Sequence, residues 1–182
     1  MEHCILALAQ YHHYYHHTAP SDTFVSDGST ITITPTLSNT NFAIFANGNA
    51  FATSISSHGS KTGILHGKCY GIIATSLLAL HSKLPQTTLY SDHLSSVTFL
   101  TLTPQPHILT TKPVHSYYHW ILNIWNNAQN NNQHISLLHC KAHTTNNTLP
   151  ANMNQLADHI TSHSHHDPSP SLTTTSSNFC YR

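Results

Sequence analysis

Charge is nearly absent from this chain, and that limits what it can become. Six Lys and Arg balance six Asp and Glu in 182 residues. Charged residues make up 7% of the sequence, against about 25% in an ordinary domain. The polar surface must therefore come from Thr, Ser and Asn, which number 24, 21 and 15, and from 19 His. With 38% apolar residues, a chain of this size can bury roughly 70% of its unfolded surface. One domain with a real core is expected. A strongly basic or acidic partner-binding domain is excluded, and so is a collagen-like or Gly/Ser linker chain.

No apolar run is long enough for a membrane helix. The longest, near Gly71–Leu80, is broken by Thr75 and Ser76. The start of the chain lacks the basic residues and the apolar length of a secretory signal. Cys4, Cys69, Cys140 and Cys180 are far apart and form no CxxC, which reads as free thiols in a reducing compartment. The expectation is an intracellular monomer with no membrane association, with nucleus or cytoplasm left open.

Residues 1–20 carry the run Tyr11-His12-His13-Tyr14-Tyr15-His16-His17 and read as a His/Tyr-rich tail. Residues 164–182 are rich in Ser, Thr and Pro and read as a second tail. The domain is expected over 21–163. Within it, Thr23–Ser26 is a short strand ending at Asp27. Asn41–Ala46 and Ala50–Ser57 are strands around Asn47-Gly48, a strong hairpin signal. The period then changes. Cys69, Ile72, Ile73, Ser76, Leu77 and Leu80 form one helical stripe that stops before Pro85. Thr87–Ser91 is a strand running into Asp92. Residues 93–103 can form a helix. Tyr117, Tyr118, Ile121, Ile124, Trp125 and Ala128 form a second long stripe. Ile135–Cys140 reads as a central buried strand. Met153, Leu156, Ala157 and Ile160 mark a last helix. The order β-β-β-α-β-α-α-β-α predicts an α/β layer fold with a mixed sheet.

Scarce carboxylates are informative. Asp27 and Asp92 are expected at strand ends, and Asp158 near the start of the last helix. Sites in open α/β sheets form at carboxyl ends of strands. Converging carboxylates repel, and a hard divalent cation such as Mg²⁺ relieves this. Asp is also a common cap and turn residue, so spacing alone leaves both readings open.

The ordered segments Ser26-Asp27-Gly28-Ser29, Tyr70-Gly71-Ile72-Ile73, Tyr90-Ser91-Asp92, Lys141-Ala142-His143-Thr144 and Asn154-Gln155-Leu156-Ala157-Asp158 resemble a type 1 ribonuclease H domain. The likeness is especially to those following reverse transcriptase in non-LTR retrotransposon polyproteins, and it covers about 21–163. The resemblance implies a five-stranded mixed sheet, three antiparallel strands then parallel additions, flanked by helices. It implies metal-dependent cleavage of the RNA strand of RNA–DNA hybrids, with Mg²⁺ (or Mn²⁺) as cofactor and a linked reverse transcriptase as partner. Asp27, Asp92 and Asp158 match metal ligands. His143 matches the loop His associated with proton transfer or product release.

Two positions depart from the pattern. Lys68 stands where the family carries a helix Glu, and His93 follows Asp92 where Ser is usual. The only Glu of the chain is Glu2, so no local realignment restores the missing one. Impaired cleavage is the expected consequence. The alternatives are an inactive nucleic-acid-binding remnant of the same fold, or a His-rich metal-binding or structural protein.

Overall fold

In a computed structural model, residues 21–46, 49–57, 63–102, 115–142 and 147–166 are described. The elements are β1 (Thr23–Thr34), β2 (Leu37–Ala46), β3 (Asn49–Ser57), α1 (Ile64–Ser82), β4 (Gln86–Ser91), α2 (Leu94–Leu102), α3 (His115–Asn130), β5 (His134–His139) and α4 (Leu149–Ser164). The strands lie side by side in the order β3-β2-β1-β4-β5. β1, β2 and β3 pair antiparallel, whereas β4 joins β1, and β5 joins β4, in parallel.

β1 is much longer than Thr23–Ser26. Its second half, Thr30-Ile31-Thr32-Ile33-Thr34, alternates with period 2 and pairs with β2 as far as Thr34↔Leu37. That alternation was the signal for the extension. Asp27 therefore sits inside a strand. β5 is also corrected: it lies at the sheet edge, where Leu137 is buried but Leu138 remains 47% exposed. Among the described residues it has one strand neighbour, β4, so its apolar run does not mark a central strand.

The sheet is apolar on both faces, and strand alternation separates the two cores. Phe24, Phe42 and Ile44 point to the main core with Ile72, Leu78, Leu89 and Ile121. Ala43 packs on the other face with Ala157 and Ile160, flanked by Phe45. α1 packs on the sheet and against α3. It is consequently buried around most of its circumference, not along one stripe alone. α3 presents Tyr118, Ile121, Ile124 and Ala128 inward as expected, and Trp125 Nε1 donates to Ser76 Oγ at 2.9 Å. On α4, Met153, Ala157 and Ile160 are buried, but Leu156 is exposed and Asn154 takes an inward position.

Glycines set the seam between α1 and β1. A Cβ on Gly28 would lie 2.1 Å from the Gly67 carbonyl carbon, and one on Gly71 would lie 2.9 Å from Ser26 Cβ. Gly67 and Gly71 stand one helical turn apart, so the helix backbone rides directly on the strand. Lys68 is carried to the sheet by this close approach.

Among the described residues, no helix is long and apolar enough to cross a membrane. The His-rich run 11–17 lies outside the described residues. At the C-terminal side, α4 runs through Ser164 and a turn follows at 165–166. His165 packs back on the sheet.

Candidate functional site

Parallel pairing of β1 with β4 ends at Ser26↔Ser91. Asp27 and Asp92 are each the next residue, so both carboxylates stand where the two strands part. The site is thus at the carboxyl end of β4, though not at the end of β1. Asp27 is 1% exposed and Asp92 is half-buried.

Lys68, in the second turn of α1, fills the space between them. Its Nζ donates to Asp27 Oδ1 and to both oxygens of Asp92, at 2.7 and 2.9 Å. Gly28 N–H also donates to Asp27 Oδ1, at 2.7 Å. Burial pushes the Asp27 carboxyl up to about 6; Lys68 opposes the shift and Asp92 adds to it. Burial also works against the Lys68 charge, but Asp27 and Asp92 overcome it and hold the ammonium above its ordinary range. The ammonium therefore stays protonated between two acids.

His93 has a local task. Its Nδ1 accepts from Ser96 N–H at 3.2 Å and lies 2.7 Å from Ser96 Oγ. That is an N-cap on α2 made by a ring nitrogen where Ser or Asp would be usual. Ser96 Oγ continues to Tyr118 Oη at 3.0 Å. Burial, then Lys68, lower the basicity of His93, against Asp92. The departure at this position has a structural role.

Cys140 and Asn154 complete the surroundings. Cys140 N–H donates to Ser91 O at 3.0 Å, and its Sγ donates to Asn154 Oδ1 at 3.5 Å. Burial pushes the Cys140 thiol up to about 12, with Asp92 adding to the shift. Cys69 is likewise raised to about 12 by burial. Both thiols are free and buried, and at these values they are protonated and unreactive. His139 reaches in from β5, with Nε2 3.1 Å from Asp92 O. Neither Asn154 as a contact of Cys140 nor His139 was singled out by sequence reasoning; the register of β4 and β5, Ser91↔His139, places the latter.

The structure brings Asp27, Lys68 and Asp92 together. Asp158 is half-exposed in the second half of α4, not near its start. It follows Ala157, which packs on Ala43, the register partner of Asp27. No three of His, Cys, Asp and Glu gather into a metal-holding group among the described residues. His143 lies outside them. As the donors stand, Asp27 and Asp92 do not fit a divalent cation, because the Lys68 ammonium already takes Asp27 Oδ1 and both oxygens of Asp92.

Comparison with solved structures identifies the architecture. The foamy viral protease–reverse transcriptase, solved in complex with an RNA/DNA hybrid, superposes with a TM-score of 0.53 at 11% identity, over 87% of this chain and 20% of that one. LC9-RNase H1, a type 1 ribonuclease H with the type 2 active-site motif, superposes with a TM-score of 0.51 at 10% identity, over 81% of this chain and 74% of that one. The chain has a ribonuclease H-like fold. Its sequence matches no family model and no curated protein.

Proposed function

We propose that the chain is a ribonuclease H-type domain that engages RNA–DNA hybrids and whose cleavage of the RNA strand is impaired or lost. The observation that supports this is the Lys68 ammonium shared by Asp27 and Asp92. Phosphoryl transfer on this kind of site relies on cations that neutralise the scissile phosphate and the leaving oxygen. Here Lys68, the cation at the centre among the described residues, is committed to carboxylates. Two acids and one ammonium leave an uncompensated negative charge facing any phosphate that approaches. The geometry holds the fold's centre closed instead of presenting it to substrate.

Hybrid binding would depend on few charges. Residues 21–163 contain Lys61, Lys68, Lys83, Lys112 and Lys141 and no Arg. Ser, Thr and Asn can contact phosphates and 2′-OH groups, but they release few counterions. A linked polymerase that holds the hybrid would raise its effective concentration. A retrotransposon-type polyprotein as the parent is in keeping with this. A hybrid-binding module that has lost cleavage altogether is the second reading, favoured by the same Lys68 contacts.

The deciding experiment is cleavage and binding of a labelled RNA–DNA hybrid in Mg²⁺ and in Mn²⁺, for the wild type and for Lys68→Glu. Weak or absent cleavage by the wild type and a gain in Lys68→Glu are expected. Binding without cleavage in both proteins selects the module reading. Cleavage by the wild type at an ordinary ribonuclease H rate, unchanged in Lys68→Glu, overturns the proposal.

A further inference from the structure

A pair of imidazoles lies away from Asp27 and Asp92, on the last two turns of α4. His159 and His163 are one turn apart and both are exposed. Their ring centroids are 4.3 Å apart and the planes are tilted by 45°. The rings contact each other, and neither hydrogen-bonds any described residue. Among the described residues, no group takes the imidazole nitrogens of this pair. Of the two further imidazoles at this helix end, His165 contacts Ser29 and Asn41, and His166 is exposed in the turn after the helix.

We infer that His159 and His163 form a bidentate site for a divalent transition-metal ion. Residues at i and i+4 share a helix face, and two His at that spacing are a recurrent metal-binding pair on helices. Imidazoles sharing one cation, with bonds of about 2.0–2.1 Å, bring their ring centroids to within about 5 Å of each other. The observed separation meets that condition without a change of backbone. Imidazole selects Zn²⁺, Ni²⁺ or Cu²⁺, with Cu²⁺ tightest in the usual order; Mg²⁺ and Ca²⁺ prefer oxygen and are not expected. Water fills the remaining positions. The cation would staple the last two turns of α4, and so tighten the segment that carries Thr161, Ser164 and His165 onto the sheet.

The chain holds other His, among them His12, His13, His16 and His17, so the test must separate the helix pair from them. Thermal unfolding of the full chain is measured with and without Ni²⁺, for the wild type, for His163→Asn, and for a variant with those four His changed to Asn. A ligand that binds the folded helix pair raises Tm, by several degrees at about a hundredfold excess over its dissociation constant. The rise is expected in the wild type and in the four-His variant, and absent in His163→Asn. No rise in the wild type, or an equal rise in His163→Asn, overturns the inference. Should His163→Asn not fold, paramagnetic broadening by Ni²⁺ of the His159 and His163 ring protons in the wild type decides. Unbroadened resonances at saturating metal would sink the site.

Discussion

Lys68 holds Asp92 by both carboxylate oxygens, at 2.7 and 2.9 Å, while the same ammonium donates to the buried Asp27. The contact joins the first long helix to the end of β4 and makes the carboxylate pair an internal ion network. Its energetic worth depends on all three members, because burying any one of them alone is costly.

Lys68→Met tests that dependence. It leaves two acids facing each other in a protected site. Loss of a buried partner is expected to cost about 3–5 kcal/mol, read from urea unfolding at neutral pH. Adding Asp27→Asn should restore part of the loss, since the repulsion then disappears. Equal stability of wild type and Lys68→Met would show that the network contributes nothing.

Asp27 gives the fold a pH dependence of defined sign. Its carboxyl titrates near 6 in the folded chain, against 3.8 for the free group. Between those values the folded state keeps a proton that the unfolded state releases. The stability tied to this group is fully present below pH 3.8 and is lost as pH rises through about 6. Unfolding midpoints from pH 4 to 7 should therefore fall in the wild type relative to Asp27→Asn. Parallel profiles for the two proteins would contradict this.

The glycine seam predicts a ranking. Gly28→Ala drives a methyl into the backbone of Gly67, and nothing flexible can move aside. Gly71→Ala meets Ser26 Cβ at 2.9 Å and needs a smaller shift. Overpacking typically costs about 1–3 kcal/mol, so Gly71→Ala should fall in that range and Gly28→Ala above it. Thermal denaturation of both variants checks the order.

His165 anchors the end of α4. Ser29 Oγ lies 2.6 Å from its Nε2, and Asn41 Nδ2 donates to its Nδ1 at 3.0 Å and to Ser164 Oγ at 2.5 Å. Asn41 Oδ1 is buried with no hydrogen-bond partner among the described residues, so the cluster has little capacity to absorb another loss. His165→Ala should cost about 1–3 kcal/mol and raise amide exchange over 160–164. Burial, then His166, lower the basicity of His165. Stability from this group is therefore present above its unfolded value and lost as pH falls through the folded one. Unchanged exchange at the end of α4 in His165→Ala would refute the anchor.

The elements themselves were readable because local periodicity survives folding. The stripes of α1 and α3, the hairpin runs around 46–49 and the strand before Asp92 all follow from residue spacing. So does the place of Lys68, since Cys69, Ile72 and Ile73 fix the rotation of α1 and put its neighbour near the sheet. The Thr-Ile alternation of 30–34 was present too, and it marks the part of β1 that extends past Asp27.

Other features have no local signature. β5 carries Ile135, Leu137 and Leu138 yet lies at an edge, because a strand's place in a sheet depends on its partners. Leu156 and Asn154 exchange the burial their polarity suggests, because the seat of α4 on β1 and β2 sets its rotation. Asp27 and Asp92 are 65 positions apart in the numbering, and it is the parallel register ending at Ser26↔Ser91 that makes them neighbours. The sequence alone determined which groups were available: few acids, a Lys in place of Glu, and glycines at a turn's spacing. Only the tertiary structure decided that the ammonium would close on both carboxylates, because burial and long-range strand pairing, not nearby residues, set those distances.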